Sequence, residues 1–139
     1  MLTNETGDNA THLDMTPATW AKLTDGYTGG GVPTVRWEWT TCPIAATTPL
    51  VIHTHSGSSK YWFAATVENA RFRTAKLEVS SDGGQTWQQT NRELYNFFVF
   101  DGVLPSDTTT VRVTSITGSQ VVVENVAAAA GQTTKATEN

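Results

Sequence analysis

The chain has 139 residues, of which 38% are hydrophobic and 16% charged, and a formal net charge of −4 at pH 7. That is enough for one domain of ordinary size, and the Thr- and Ser-rich composition suits a β protein better than a helical one. No Lys/Arg cluster supplies the basic face that nucleic acid or an acidic polymer requires, and no apolar run approaches the roughly 18 residues of a transmembrane helix.

Residues 1–10 are polar and aperiodic and are expected to be loose; no apolar signal segment follows Met1. Asn4-Glu5-Thr6 and Asn9-Ala10-Thr11 fit the N-glycosylation triplet, a pattern that also arises by chance in Asn/Thr-rich stretches. Residues 16–23 predict a short helix, with Thr16 as cap, Pro17 in the first turn and Gly26 beyond the end. Gly29-Gly30-Gly31 reads as a connector. Residues 35–40 alternate strictly, which predicts a strand with Val35, Trp37 and Trp39 on one face and Glu38 exposed. Cys42-Pro43 ends it, and residues 45–49 read as a linker.

From Leu50 the pattern changes to short strands at regular spacing. Strands are expected over 50–55, 60–68, around Ala75, Leu77 and Val79 (with Lys76 and Glu78 facing out), over 86–89, 94–100, around Val111 and Val113, and over 120–126. Ser81-Asp82-Gly83-Gly84 and Thr117-Gly118-Ser119 are turns, and Trp87 is expected to cover the core. Seven short strands predict an all-β, immunoglobulin-like antiparallel sandwich. Residues 127–139, an alanine run followed by polar residues, read as a disordered tail.

The stretch 58–69 carries the functional question. Phe63, Ala65 and Val67 share one parity and point inward; Trp62, Ala64, Thr66 and Glu68 share the other. A large ring on the polar face of a sheet either covers a loop or stacks on a flat ligand. Tyr61 falls on the core parity, so an outward Tyr61 requires a bulge or a twist. Near Tyr95, one parity carries Tyr95, Phe97 and Val99 and the other Asn96, Phe98 and Phe100.

Ser58-Ser59-Lys60-Tyr61-Trp62-Phe63-Ala64, then Leu94-Tyr95-Asn96-Phe97-Phe98, then Val111-Arg112-Val113-Thr114 resembles the second domain of expansins, with the nearest likeness to fungal expansin-like proteins of the swollenin type. The resemblance covers residues 50–126. It implies an immunoglobulin-like sandwich that binds cellulose or a related β-glucan through a flat aromatic row, with Tyr61, Trp62 and Tyr95 in the row, Phe98 turned inside, Phe97 exposed beside the row and Lys60 at its edge. Upstream, His12-Leu13-Asp14-Met15-Thr16, the short helix and residues 35–43 resemble the end of the expansin first domain, a six-stranded double-psi barrel; Leu13 stands where that family has an aromatic residue. About forty residues bury too little to close such a barrel. Residues 1–44 are therefore expected to be a remnant of it, and Cys42 would have its disulfide partner in the missing part.

Asp14 matches the barrel's acid position. Glycoside hydrolysis needs two carboxylates, and only Asp14 has a match, as in expansins generally. His53 and His55 share a strand face but lack a third ligand with recognisable spacing, so no metal site is expected. The resemblance implies a secreted, extracellular protein that is not an enzyme, uses no cofactor and supports non-hydrolytic loosening of wall polysaccharide. Two alternatives stand beside it: a weak glycoside hydrolase remnant centred on Asp14, and an adhesion sandwich with no sugar ligand.

Overall fold

The computed structural model describes residues 15–29 and 36–137. The polar lead-in, both glycosylation triplets, His12, Asp14 and Val35 lie outside the described residues. The chain divides into two compact units, Met1–Trp39 and Thr40–Asn139.

In the first unit, helix α1 spans Pro17–Leu23. Thr16 accepts from the Thr19 backbone N–H, and Pro17 sits where no N–H is needed. The Trp20 indole donates to the Tyr27 carbonyl at 2.7 Å. None of the helix is buried. The strand expected over 35–40 does not form among described residues 36–40. A strand needs a neighbour for its backbone groups, and no strand of this unit is present among the described residues to supply one. Trp37 and Trp39 are instead half or more exposed, edge-to-face with each other at 5.4 Å.

The second unit is an antiparallel β-sandwich. Its strands are β1 (Val51–Thr54), β2 (Ala64–Glu68), β3 (Thr74–Ser80), β4 (Gln88–Gln89), β5 (Asn91–Arg92), β6 (Phe98–Val99), β7 (Thr108–Ser115), β8 (Gln120–Ala127) and β9 (Thr133–Lys135). They form a five-stranded sheet in the order β5-β6-β2-β1-β9 and a four-stranded sheet in the order β4-β3-β7-β8. Ile52, Phe63, Ala65, Leu77, Val79, Phe98, Val111, Val123 and Val126 meet in the core between them. The inward parity expected for Phe63, Ala65 and Phe98 holds, because each is buried in that core while Trp62 and Phe97 are not.

Four expectations are corrected. The disordered tail expected over 127–139 is not what described residues 127–137 form: β9 pairs with β1, and Ala128 and Ala136 are buried in the core. Residues 40–44, expected with the first part of the chain, fall in the second unit, where the Cys42 N–H donates to the Arg71 carbonyl at 2.8 Å. Ala75 is exposed rather than inward, because a register shift between Thr74 and Lys76 takes it out of alternation. Trp87 does not cover the core. It lies on the outer face of the four-stranded sheet, 4.2 Å from the Arg112 guanidinium, which in turn donates to Glu78 at 2.8 Å. Glu78 thus points outward as expected but is only 7% exposed, and the Arg112 hydrogen bond, joined by Lys76, holds its carboxyl below the usual range.

The β3–β4 turn is built on Asp82. Its carboxylate accepts from the Gln85 and Thr86 backbone N–H groups and from the Ser80 and Thr86 hydroxyls, while Gly83 and Gly84 take positive φ. The Thr86 hydroxyl and N–H, then Ser80, hold the Asp82 pKa far below its ordinary value. A depressed folded pKa adds stability above the unfolded pKa and loses it as pH falls through the folded one. Asp82→Asn is therefore expected to lower the melting temperature at neutral pH. The gap to the parent should narrow on acidification from about pH 5 towards pH 2. A gap that stays constant across that range in thermal melts would show that the Asp82 charge contributes nothing.

Candidate functional site

The outer face of the five-stranded sheet follows from its register. Val51 pairs with Glu68, His53 with Thr66, and Ala64 with Val99, and residues opposite each other share a face. His53 holds Glu68 there at 2.8 Å. His55, two residues beyond His53, continues on this face at the end of β1.

Between β1 and β2 the chain makes a tight reversal. Ser59 and Trp62 exchange both backbone hydrogen bonds, which leaves Lys60 and Tyr61 at the turn. The strand expected from residue 60 therefore starts only at Ala64, and Tyr61 reaches solvent from a turn rather than from a bulge. Tyr61 is 70% exposed and Trp62 38%. The Ser58 hydroxyl, itself buried, accepts from the Ala64 N–H and anchors the far side of the reversal.

The second aromatic segment is the β5–β6 loop. The Glu93 N–H donates to the Phe97 carbonyl at 2.8 Å and the Asn96 N–H to the Glu93 carbonyl at 3.0 Å. Asn96 takes φ 65°, a left-handed conformation that asparagine tolerates. Its side-chain oxygen accepts from Arg92 Nε and Nη2 at 3.0 and 2.6 Å. This clamp lifts Leu94 and Tyr95 to the tip, 91% and 51% exposed, and sets Phe97 half-buried on the sheet face. Leu94 is thus a loop residue and not the start of a strand.

The fold joins the two segments through His55. Its ring lies edge-to-face against Trp62 at 5.2 Å and against Phe97 at 4.9 Å, and Phe97 meets Tyr95 at 6.0 Å. Tyr95, Phe97, His55 and Trp62 thus form one continuous run of ring contacts along an open face. Tyr61 stands outside this run. Lys60 Nζ lies 5.5 Å from the Tyr61 ring centroid and 3.6 Å from Asp107. Aromatic rings offer a flat apolar face with a polar edge, the geometry on which the C–H faces of a pyranose pack. Of the five residues expected at the site, the structure links Trp62, Phe97 and Tyr95 and leaves Tyr61 and Lys60 as a neighbouring pair.

His55, which joins the run, is not among the residues expected there; the sequence pointed only to its sharing a strand face with His53. That same-face spacing was the signal available. Among the described residues, no group of three or more His, Cys, Asp or Glu side chains is placed to hold a metal ion. No helix among them is long and apolar enough to cross a membrane.

No family model matches the chain. It is 30% identical over 109 residues to Expansin-YoaJ of Bacillus subtilis (strain 168), an alignment that covers 78% of this chain and 44% of that protein. Its fold is similar to that of a point mutant of Clavibacter michiganensis expansin crystallised in complex with cellohexaose, with TM-score 0.59 and 28% identity over 67% of this chain and 44% of that one. The apo form of the same expansin gives TM-score 0.60 and 27% identity, covering 69% of this chain and 46% of that one. The chain is thus similar to expansins in sequence and in fold, and it spans less than half the length of these relatives.

Proposed function

We propose that this chain, related to expansins, holds cellulose or a related β-glucan on the outer face of its five-stranded sheet and does not cleave it. The observation that carries this reading is the run of ring contacts from Tyr95 through Phe97 and His55 to Trp62 on an open face. The rings are not coplanar: His55 meets Trp62 and Phe97 edge-to-face at 89° and 80°, so in this reading the sugar lies across Trp62 and Phe97 while His55 stands between them. Tyr61, 70% exposed with Lys60 Nζ over its ring, is in this reading a further contact beside the run. The expansin relative bound to cellohexaose supports the ligand class.

Stacking and hydrogen bonds to one glucan chain compete with the contacts between chains. That competition is the physical basis we infer for a role in non-hydrolytic loosening of wall polysaccharide, outside the cell where that substrate is. The narrower likeness to swollenin-type fungal proteins is carried by the motif residues alone. The remnant-barrel reading of residues 1–44 likewise rests on the sequence motif around Asp14.

Insoluble-cellulose depletion tests the reading. Trp62→Ala is expected to weaken binding about fivefold, since a stacked ring contributes on the order of 1 kcal/mol and 1.4 kcal/mol is tenfold. Its melting temperature should fall only slightly, reflecting the lost edge contact with His55. Tyr95→Ala should act in the same direction and more weakly. Unchanged binding by Trp62→Ala would remove the platform, and release of reducing sugar from amorphous cellulose would favour the hydrolase reading instead.

A further inference from the structure

We propose that His55 is the hydrogen-bond donor of this face, presenting its Nε2–H to an oxygen of the saccharide that lies across Trp62 and Phe97. The proposal rests on the reading of the face as a saccharide platform and adds to it the group that selects among sugars.

The argument begins with the tautomer. The Gly57 backbone N–H donates to His55 Nδ1 at 2.9 Å. A ring nitrogen that accepts carries no proton, so the neutral imidazole carries it on Nε2. Among the described residues Nε2 has no hydrogen-bond partner. His53, on the same face, differs: its Nδ1 is engaged with Glu68 at 2.8 Å. His55 is thus the histidine on this face whose orientation is fixed at one nitrogen and whose donor is left open at the other.

The ring is also held in place. Edge-to-face contacts with Trp62 and Phe97 bracket it, at interplanar angles of 89° and 80°. Its own backbone is pinned: the His55 N–H donates to the Ala64 carbonyl at 2.8 Å, and the His55 carbonyl accepts from the Ser58 N–H at 2.9 Å and the Gly131 N–H at 3.2 Å. A donor already fixed in position loses little freedom on binding.

A ligand stacked on the neighbouring rings displaces the water on Nε2–H. A donor left unpaired under a ligand costs more than a neutral hydrogen bond gains, so the ligand must supply an acceptor at that point. A sugar does so with a hydroxyl or ring oxygen; a purely apolar ligand does not. Aromatic faces alone accept any pyranose with an open C–H face. A single fixed donor between them favours the sugars that carry an oxygen where Nε2 points.

Calorimetric titration with cellohexaose tests this in the full chain. His55→Phe retains a ring for the contacts with Trp62 and Phe97 and lacks the donor. It is expected to melt close to the parent and to bind about fivefold more weakly, the worth of one neutral hydrogen bond. Binding equal to the parent would make His55 a spacer between rings and overturn the proposal. Nitrogen-15 shifts of the His55 ring in the unmutated protein provide the second measurement. The Nε2 signal should move on adding cellohexaose while Nδ1 stays. Quenching of tryptophan fluorescence by cellohexaose with no movement of Nε2 overturns the His55 assignment alone. No cellohexaose binding by the parent overturns the platform and this assignment with it.

Discussion

A chain ended after Val126 is expected to lose its cooperative thermal transition. The removed segment carries β9, whose Thr133, Thr134 and Lys135 pair with His53, Ile52 and Val51. It also carries Ala128 and Ala136, both buried in the core. The sharpest loss falls at Thr54, which is only 2% exposed. Its hydroxyl donates to the Ala129 carbonyl at 2.6 Å and accepts from the Gln132 N–H at 2.8 Å, and its N–H donates to the Gln132 carbonyl at 2.9 Å. Without them these groups turn to water, and each lost bond costs about 0.5–1.5 kcal/mol. The Leu50 carbonyl loses the Ala136 N–H, and the His55 carbonyl loses that of Gly131. Together with the lost β9 pairing and the two buried alanines, these reach about 5 kcal/mol, the lower end of a whole domain's stability. Circular dichroism on heating reads the outcome. A truncated chain that melts as sharply and as high as the full one would show that β9 is dispensable. Because β1 also leads into His55, a destabilised but folded truncation should bind cellulose poorly as well.

Phe63→Ala is expected to cost about 3–5 kcal/mol and to lower the melting temperature by roughly 15 °C or more. Phe63 is fully buried, within the core cluster that also holds Phe98, Phe100 and Leu104. Its carbonyl accepts from the Phe100 N–H at 2.9 Å, so its backbone also joins the two aromatic segments of the site. Truncation leaves a cavity the size of a benzene ring, and a core closed on both sides by sheets relaxes little to fill it. The comparison with Trp62→Ala, one residue earlier, is the informative one. The Phe63 change should act on stability with modest effect on affinity below the melting transition; the Trp62 change should do the reverse. If both variants lose stability equally, Trp62 is a structural cover and the open face has no platform.

Alternation in the sequence was enough to place Phe63 and Ala65 inside, to send Trp62 to the other face, and to put Phe97 and Phe98 on opposite faces; which of those two turns inward came from the family resemblance. The side-chain direction of a strand residue is a local property with period two. The Asp82-Gly83-Gly84 turn was legible for the same reason: asparagine-like hydrogen bonding and positive φ are local. Of the motif Lys60-Tyr61-Trp62, the structure puts Trp62 in the run of ring contacts and leaves Lys60 and Tyr61 as a separate pair. Other features had no local signal. The Thr133–Lys135 strand is too short to show a period, and it exists because β1 offers a free edge about eighty residues earlier in the chain. Tyr61 was assigned to a strand because alternation cannot see that Ser59 and Trp62 close a turn on each other. Ala75 left its expected face because one extra residue in β3 breaks the count against β7. His55 became part of the site only when the sheet brought Trp62 and Phe97 to its two sides. The sequence by itself determined which faces are apolar and where the chain turns, since those depend on neighbours a few residues away. The tertiary structure alone decided which segments pair and which rings meet, because those contacts join distant parts of the chain and no local pattern encodes them.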